Sequence, residues 1–298
     1  MTKTSDSKRN IPSEDFHYQD SRFADVNGLQ VHYRTAGQGE PGLLLLHGFG
    51  ANTFTWRKIL QPLSRYGTTV AYDRPAFGLT ERPDRNRWAG ENPYSPEFQP
   101  RLAIDLLDAI KIDQAVLVGN SAGGTIAMLT AYNYPERIAA LILVDAAIYT
   151  TGGTPDWFKP ILRSLKHLPI PNSVSRPALS AGKRLLKVAW HDPSRIEPDV
   201  VDGYATSWQV DGWDRAMWEM ISVTGSMDIS WVPPRIQTPT LVITGDDDRI
   251  VPTHESIRLA EEIPGAELVI IPECGHMPQE ECPQEFIRAT GDFIERVV

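Results

Sequence analysis

Gly119-Asn120-Ser121-Ala122-Gly123-Gly124 follows the apolar run Ala115-Val116-Leu117-Val118 and precedes a stretch rich in Ala and Met. A serine with glycines two positions away on either side, at the passage from a buried strand to a helix, marks a tight turn. Glycine lets the two backbones pass closely, and the serine hydroxyl stands clear of the sheet at the apex. G-x-S-x-G by itself is common; the strand-turn-helix setting gives it meaning. Strained presentation does not deprotonate a hydroxyl, so such a serine needs a base, and the base needs an acid to orient it.

Outward from this turn the chain alternates. Phe23 to Val26 and Leu29 to Tyr33 flank Asn27-Gly28, a hairpin signal because both turn positions tolerate positive φ. Leu43 to Leu46 is a continuous apolar run, the mark of a strand buried on both faces. A helix is predicted over Trp56–Tyr66, a strand over Thr69–Tyr72, helices over Leu102–Ile110 and Gly123–Tyr132, and a strand over Ala139–Val144. The rhythm then stops. Residues 147–235 carry Pro, Ser and Trp irregularly, with short helices expected near Phe158–Leu165 and Trp213–Ile221. It resumes with strands at Thr240–Thr244 and Glu267–Ile271 and helices at Thr253–Glu262 and Pro283–Val297. Strand and helix in turn predict a doubly wound, mostly parallel α/β sheet. The expected organisation is a polar tail (1–20), a core (21–146 and 236–298) and an inserted, mainly helical cap (147–235).

The chemistry follows from position. Of the histidines, His254 and His276 lie late enough to serve as the base in a Ser, acid, His chain order. His254 follows Pro252-Thr253 and reads as a helix surface residue, whereas His276 sits in the loop Cys274-Gly275-His276-Met277-Pro278 after a strand. Three adjacent carboxylates, Asp246, Asp247 and Asp248, follow Leu241–Thr244, and only one can point correctly. Asp145, after an earlier strand, is a weaker rival. Backbone N–H groups of Ala122, just after the serine, and Phe49, in His47-Gly48-Phe49-Gly50, are the candidate oxyanion donors. His47 itself reads as a turn-stabilising residue.

With these motifs in order, the chain resembles the serine-nucleophile branch of the α/β-hydrolase fold superfamily from about Ser21 onward. Asp73-Arg74-Pro75-Ala76-Phe77-Gly78 is similar to the loop after that family's fourth strand and reads as structural. The resemblance places the acid on Asp248. Sister families narrow the reaction: haloalkane dehalogenases and epoxide hydrolases carry Asp where Ser121 stands, and proline iminopeptidases carry Trp where Ala122 stands. Meta-cleavage carbon-carbon hydrolases share a G-N-S-x-G-G elbow, yet they usually have Trp where Met277 follows His276. The expected activity is therefore a carboxylesterase cleaving small to medium apolar acyl esters through Ser121, His276 and Asp248. The alternative is hydrolysis of meta-cleavage (vinylogous diketone) products; a ligand receptor that kept the fold is a third, non-catalytic reading.

Composition bounds the rest. Among 298 residues, 29 Lys plus Arg face 38 Asp plus Glu, a formal net charge of -9 with no basic block, which argues against nucleic acid. Cys274 and Cys282 are too few for a disulfide framework, and the first twenty residues lack the apolar run of a signal peptide. A cytoplasmic protein with a small-molecule substrate, no membrane insertion, no cofactor and no metal is expected. Gly37-Gln38-Gly39-Glu40-Pro41-Gly42 has dinucleotide-fingerprint spacing but leads into a strand instead of a helix. Six of the eight tryptophans lie in or at the exit of the insertion; Trp157 and Trp213, with Met277, are the candidate substrate-binding residues.

Overall fold

Leu43 and Leu45 join one buried cluster and Leu44 and Leu46 another, so the run Leu43–Leu46 is the centre of a sheet covered on both faces. At about 1.5–3 kcal/mol for each fully buried Leu, four of them weigh as much as a domain's whole net stability. The computed structural model describes residues 20–84, 88–149, 182, 184–223 and 228–298.

Eight strands form one sheet: β1 (Ser21–Val26), β2 (Leu29–Ala36), β3 (Gly42–Leu46), β4 (Thr68–Tyr72), β5 (Ala115–Asn120), β6 (Ile138–Val144), β7 (Thr240–Gly245) and β8 (Glu267–Ile271). Their order is β1-β2-β4-β3-β5-β6-β7-β8, antiparallel at β1-β2-β4 and parallel thereafter. The β1-β2 hairpin turns at Asn27 (φ 54°) and Gly28 (φ 88°), as the dipeptide predicts. One face is covered by α2 (Phe98–Ala109), α3 (Ala122–Asn133) and α6 (Thr253–Glu262). The other is covered by α1 (Leu60–Leu63) and α8 (Pro283–Val297), which follows the single turn α7 (Pro278–Glu281).

Two expectations need correction. The helix expected over Trp56–Tyr66 is broken into a 3-10 turn at Thr53–Trp56, α1 and a second 3-10 turn at Ser64–Tyr66. Pro62 has no N–H to donate and its ring crowds the preceding turn, so a helix begun at Trp56 cannot run on through it, whereas the first turn of α1 tolerates it. The insertion also holds a helix that its irregular spacing hid, α4 (Pro198–Gln209), which precedes α5 (Trp213–Val223). Its start carried a signal, Pro198 at the first helical position with Asp199 behind it. The helix expected near Phe158–Leu165 lies outside the described residues.

The cap is bolted to the core by buried polar bonds. Asn52 Nδ2 donates to Gly203 O (3.2 Å) and Ser207 Oγ (3.1 Å), and Gly78 N donates to the same hydroxyl (2.8 Å). Tyr204 Oη meets Thr55 Oγ1 (2.9 Å) and the carboxylate of Glu280, which also accepts from Arg57 (2.8 Å). A Cβ on Gly203 would lie 2.4 Å from the Phe54 ring, so α4 approaches the core through a glycine. No helix among the described residues is long and apolar enough to cross a membrane.

Candidate active site

Ser121 caps α3 with φ 55° and ψ -121°, a conformation that costs a non-glycine residue on the order of 1–3 kcal/mol and persists because its surroundings dictate it. Those surroundings are glycines and one amide. A Cβ on Gly119 would lie 2.5 Å from Gly123 O, and one on Gly123 would lie 2.0 Å from Leu46 O. The flanking positions therefore admit no side chain. Ser121 N donates to Val144 O (2.9 Å), while Asn120 Nδ2 reaches both Val144 O (3.3 Å) and His276 O (3.1 Å). That amide ties the strand end before Ser121 to the loop carrying His276. The fixed residues of G-x-S-x-G do not include Asn120, so the pattern alone did not single it out.

The structure sorts the three aspartates. Asp246 Oδ1 accepts from Cys274 N (3.3 Å), and Asp247 pairs with His191 Nδ1 (2.8 Å) and with Arg249. Asp248 Oδ2 meets His276 Nδ1 at 2.7 Å, while its Oδ1 accepts from Ile250 N (2.7 Å) and Val251 N (3.0 Å). Both partners are 7% exposed. With Nδ1 donating to a carboxylate, Nε2 of neutral His276 is the acceptor nitrogen. His254 is exposed on α6, as its position predicts.

The His276 loop is also gripped by the cap. His276 N donates to Ala189 O (2.7 Å), Gly275 N donates to Glu281 Oε1 (3.0 Å), and His191 N donates to the other oxygen of that carboxylate (2.8 Å). A Cβ on Gly275 would lie 2.4 Å from Ala189 O.

The loop after β3 comes to the same place: a Cβ on Gly48 would sit 3.1 Å from Ser121 Cβ. The Gly48-Phe49 peptide therefore adjoins the serine, and Ala122 opens α3, where first-turn N–H groups have no partner within the helix. His47 Nε2 accepts from Arg74 N (3.0 Å), so the ring proton lies on Nδ1 and is donated to Gly48 O (2.8 Å). Burial, with Arg74 nearby, lowers the His47 pKa to about 3, which keeps the ring neutral and structural. Asp73 organises the next loop, accepting from Thr53 N (2.6 Å), Leu79 N (2.8 Å) and His32 Nδ1 (2.6 Å). Burial pushes its pKa up, but His32 first, then His47 and the Leu79 N–H, overcome that and hold it at about 2.

Of the expected substrate-binding residues, Trp157 lies outside the described residues. Trp213 is buried on α5 with its ring 6.4 Å from that of Trp208, and its indole N–H has no hydrogen-bond partner. Met277 packs in a cluster with Ala51, Ala189, Trp190, Val200 and Tyr204, at the seam of core and cap. Among the described residues, the His and acid groups close enough to share an ion are Asp145, Asp248 and His276. Within that group His276 Nδ1 and Asp248 Oδ2 bond each other directly.

A sheet of this order, with a strained serine where its central parallel strand feeds a helix, defines an α/β hydrolase. The chain belongs to the alpha/beta hydrolase family, whose sequence profile matches residues 43–289. It is 29% identical over 272 residues to an uncharacterized hydrolase of Bacillus subtilis, covering 91% of this chain and 96% of that one. It is 28% identical over 281 residues to 2-hydroxy-6-oxo-2,4-heptadienoate hydrolase of Pseudomonas putida, covering 92% and 95%. A solved meta-cleavage product hydrolase from Pseudomonas fluorescens superposes with a TM-score of 0.74 at 25% identity, covering 93% of this chain and 98% of that one.

Proposed function

We propose that this hydrolase cleaves a carbon-carbon bond in a 2-hydroxy-6-oxo-dienoate, the vinylogous diketone class, in preference to a simple ester. The observation that carries the reading is the end-to-end similarity to hydrolases of that substrate class. The elbow agrees with it, since Gly119-Asn120-Ser121-Ala122-Gly123-Gly124 has the G-N-S-x-G-G form that those hydrolases share.

In this scheme His276 Nε2 takes the proton of Ser121 as Oγ adds to the keto carbon, and the N–H groups of Phe49 and Ala122 hold the resulting oxyanion. Asp248 fixes the imidazole and stabilises its cation. Before the addition the dienol tautomerises, its hydroxyl proton moving to the carbon beside the keto group, so that this neighbour is sp3 and attached to an enone. Collapse of the adduct then breaks the bond between the keto carbon and that neighbour. The electron pair passes into the conjugated chain, and the proton on His276 returns to that fragment. Water, deprotonated by His276, then releases the acyl group from Ser121 as a carboxylic acid.

A second reading, carboxylesterase, is favoured by one residue: Met277 stands where the carbon-carbon hydrolases usually have Trp. The two share every catalytic residue and differ in the leaving group. The test is turnover of 2-hydroxy-6-oxo-6-phenylhexa-2,4-dienoate against a nitrophenyl ester series. The expected kcat/KM for the dienoate exceeds that of the best ester by about 100-fold, equivalent to about 3 kcal/mol of transition-state preference. The opposite ratio transfers the assignment to the esterase. Equal turnover by Ser121→Ala on both substrates removes the serine mechanism.

A further inference from the structure

Asp145 follows β6 at φ 45°, an unfavourable conformation for a residue with a Cβ, and is fully buried. Its Oδ1 accepts one long bond from Gly245 N (3.3 Å), and its Oδ2 has neither water contact nor a hydrogen-bond donor. The carboxyl lies in a cluster with Asp248 and His276 whose ligand atoms are all within 4.8 Å of one another. Thr244, whose hydroxyl favours the ionised form, and Cys274 lie beside it and bring no positive charge.

An ionised Asp145 would set acceptor against acceptor in a site that excludes water. Two carboxylates this close do not both ionise. Asp248 is the better-solvated of the two, with two backbone N–H groups and the His276 ring donating to it. The charge therefore belongs on Asp248 and a proton on Asp145. We propose that Asp145 is a positioning residue held as a neutral carboxylic acid, whose O–H is donated to Asp248 and steadies that carboxylate against His276. Burial first, and the Asp248 charge second, push the Asp145 pKa well above the ordinary carboxylate range, in agreement with the geometry. The catalytic consequence rests on the roles given above to Asp248 and His276; the protonation does not.

A carboxyl whose folded pKa lies above its unfolded value of about 3.9 binds more protons folded than unfolded. Its contribution to stability is full below about pH 4 and is lost as pH climbs toward the folded value. Asp145→Asn mimics the neutral acid, with an amide N–H for Asp248 and a carbonyl for Gly245 N, and does not titrate. Its melting temperature is expected to gain on wild type steadily from pH 4 to pH 8. The infrared difference spectrum at pH 7 is expected to show a protonated-carboxyl C=O band in wild type that Asp145→Asn lacks. The alkaline decline of wild-type kcat, as Asp145 ionises against Asp248, is expected to be absent from the variant. A wild-type spectrum without that band overturns the proposal, and so does a melting difference that is flat or shrinks with pH. The infrared and melting readouts need no substrate, so they stand apart from any failure of the hydrolase reading.

Discussion

Asp246, Asp247 and Asp248 are chemically identical neighbours, yet their oxygens face a backbone N–H, a cap histidine and His276 respectively. Asp248→Asn is expected to lower kcat by about 10³–10⁴, because an amide in place of the carboxylate favours the wrong imidazole tautomer. Asp246→Asn and Asp247→Asn are expected to stay within about tenfold, since each leaves that pair intact. Steady-state kinetics on the three variants separates them. Gly123 makes an equally local prediction. Its Cβ position overlaps Leu46 O at 2.0 Å, and two main chains have no side-chain freedom with which to give way. Gly123→Ala is expected to cost about 3 kcal/mol or more, read as a lower urea midpoint.

At the scale of elements, α4 acts as a bracket. Its Tyr204 hydroxyl serves the carboxylate of Glu280, which has no exposure and is held by Arg57 from the opposite side. Burial raises the Glu280 pKa, and the Arg57 and Tyr204 contacts oppose the rise. Tyr204→Phe removes one donor from a buried acceptor and is expected to destabilise by about 1–3 kcal/mol in urea unfolding. Gly275 couples cap to chemistry more directly, because the cap carbonyl of Ala189 accepts from His276 N beside it. Gly275→Ala pushes a methyl group against that carbonyl and so displaces His276. The expected result is a fall in kcat of about 10²-fold, as for other angstrom-scale misplacements, with circular dichroism unchanged.

The whole molecule responds to acid through a histidine that performs no chemistry. His47 is held neutral, its pKa lowered to about 3 by burial and by Arg74. Its contribution to stability is present above the unfolded value of about 6.5 and is lost as pH falls toward the folded value. The loss is on the order of 5 kcal/mol once pH is below both values. Urea midpoints are expected to drop between pH 7 and pH 4, and His47→Gln, which carries no titrating ring, is expected to flatten that part of the profile. Asp73, whose pKa stands at about 2, extends the loss to lower pH as His32 and the Leu79 N–H lose their charged acceptor.

Much of this was legible in the chain, for reasons that are local. The apolar run at Leu43–Leu46, Asn27-Gly28 and the final helix Pro283–Val297 announce themselves because burial, positive φ and proline placement act within a few residues of one another. The turn at Ser121 is legible for the same reason, since its glycines answer a clash between adjacent backbones. What the tertiary structure decided are contacts across long sequence separations. Resemblance places the acid on Asp248, but the contact that sets it apart from Asp246 and Asp247, with His276, spans 28 residues. The cap's grip on Gly275 and His276 joins segments that no spacing pattern connects. Asp145 meets Asp248 because β6 and β7 are neighbours in the sheet, with Gly245 N, 100 residues on, donating to Asp145. Propensity and periodicity describe a residue's near neighbours along the chain, whereas the sharing of a proton between two buried carboxyls is set by packing alone.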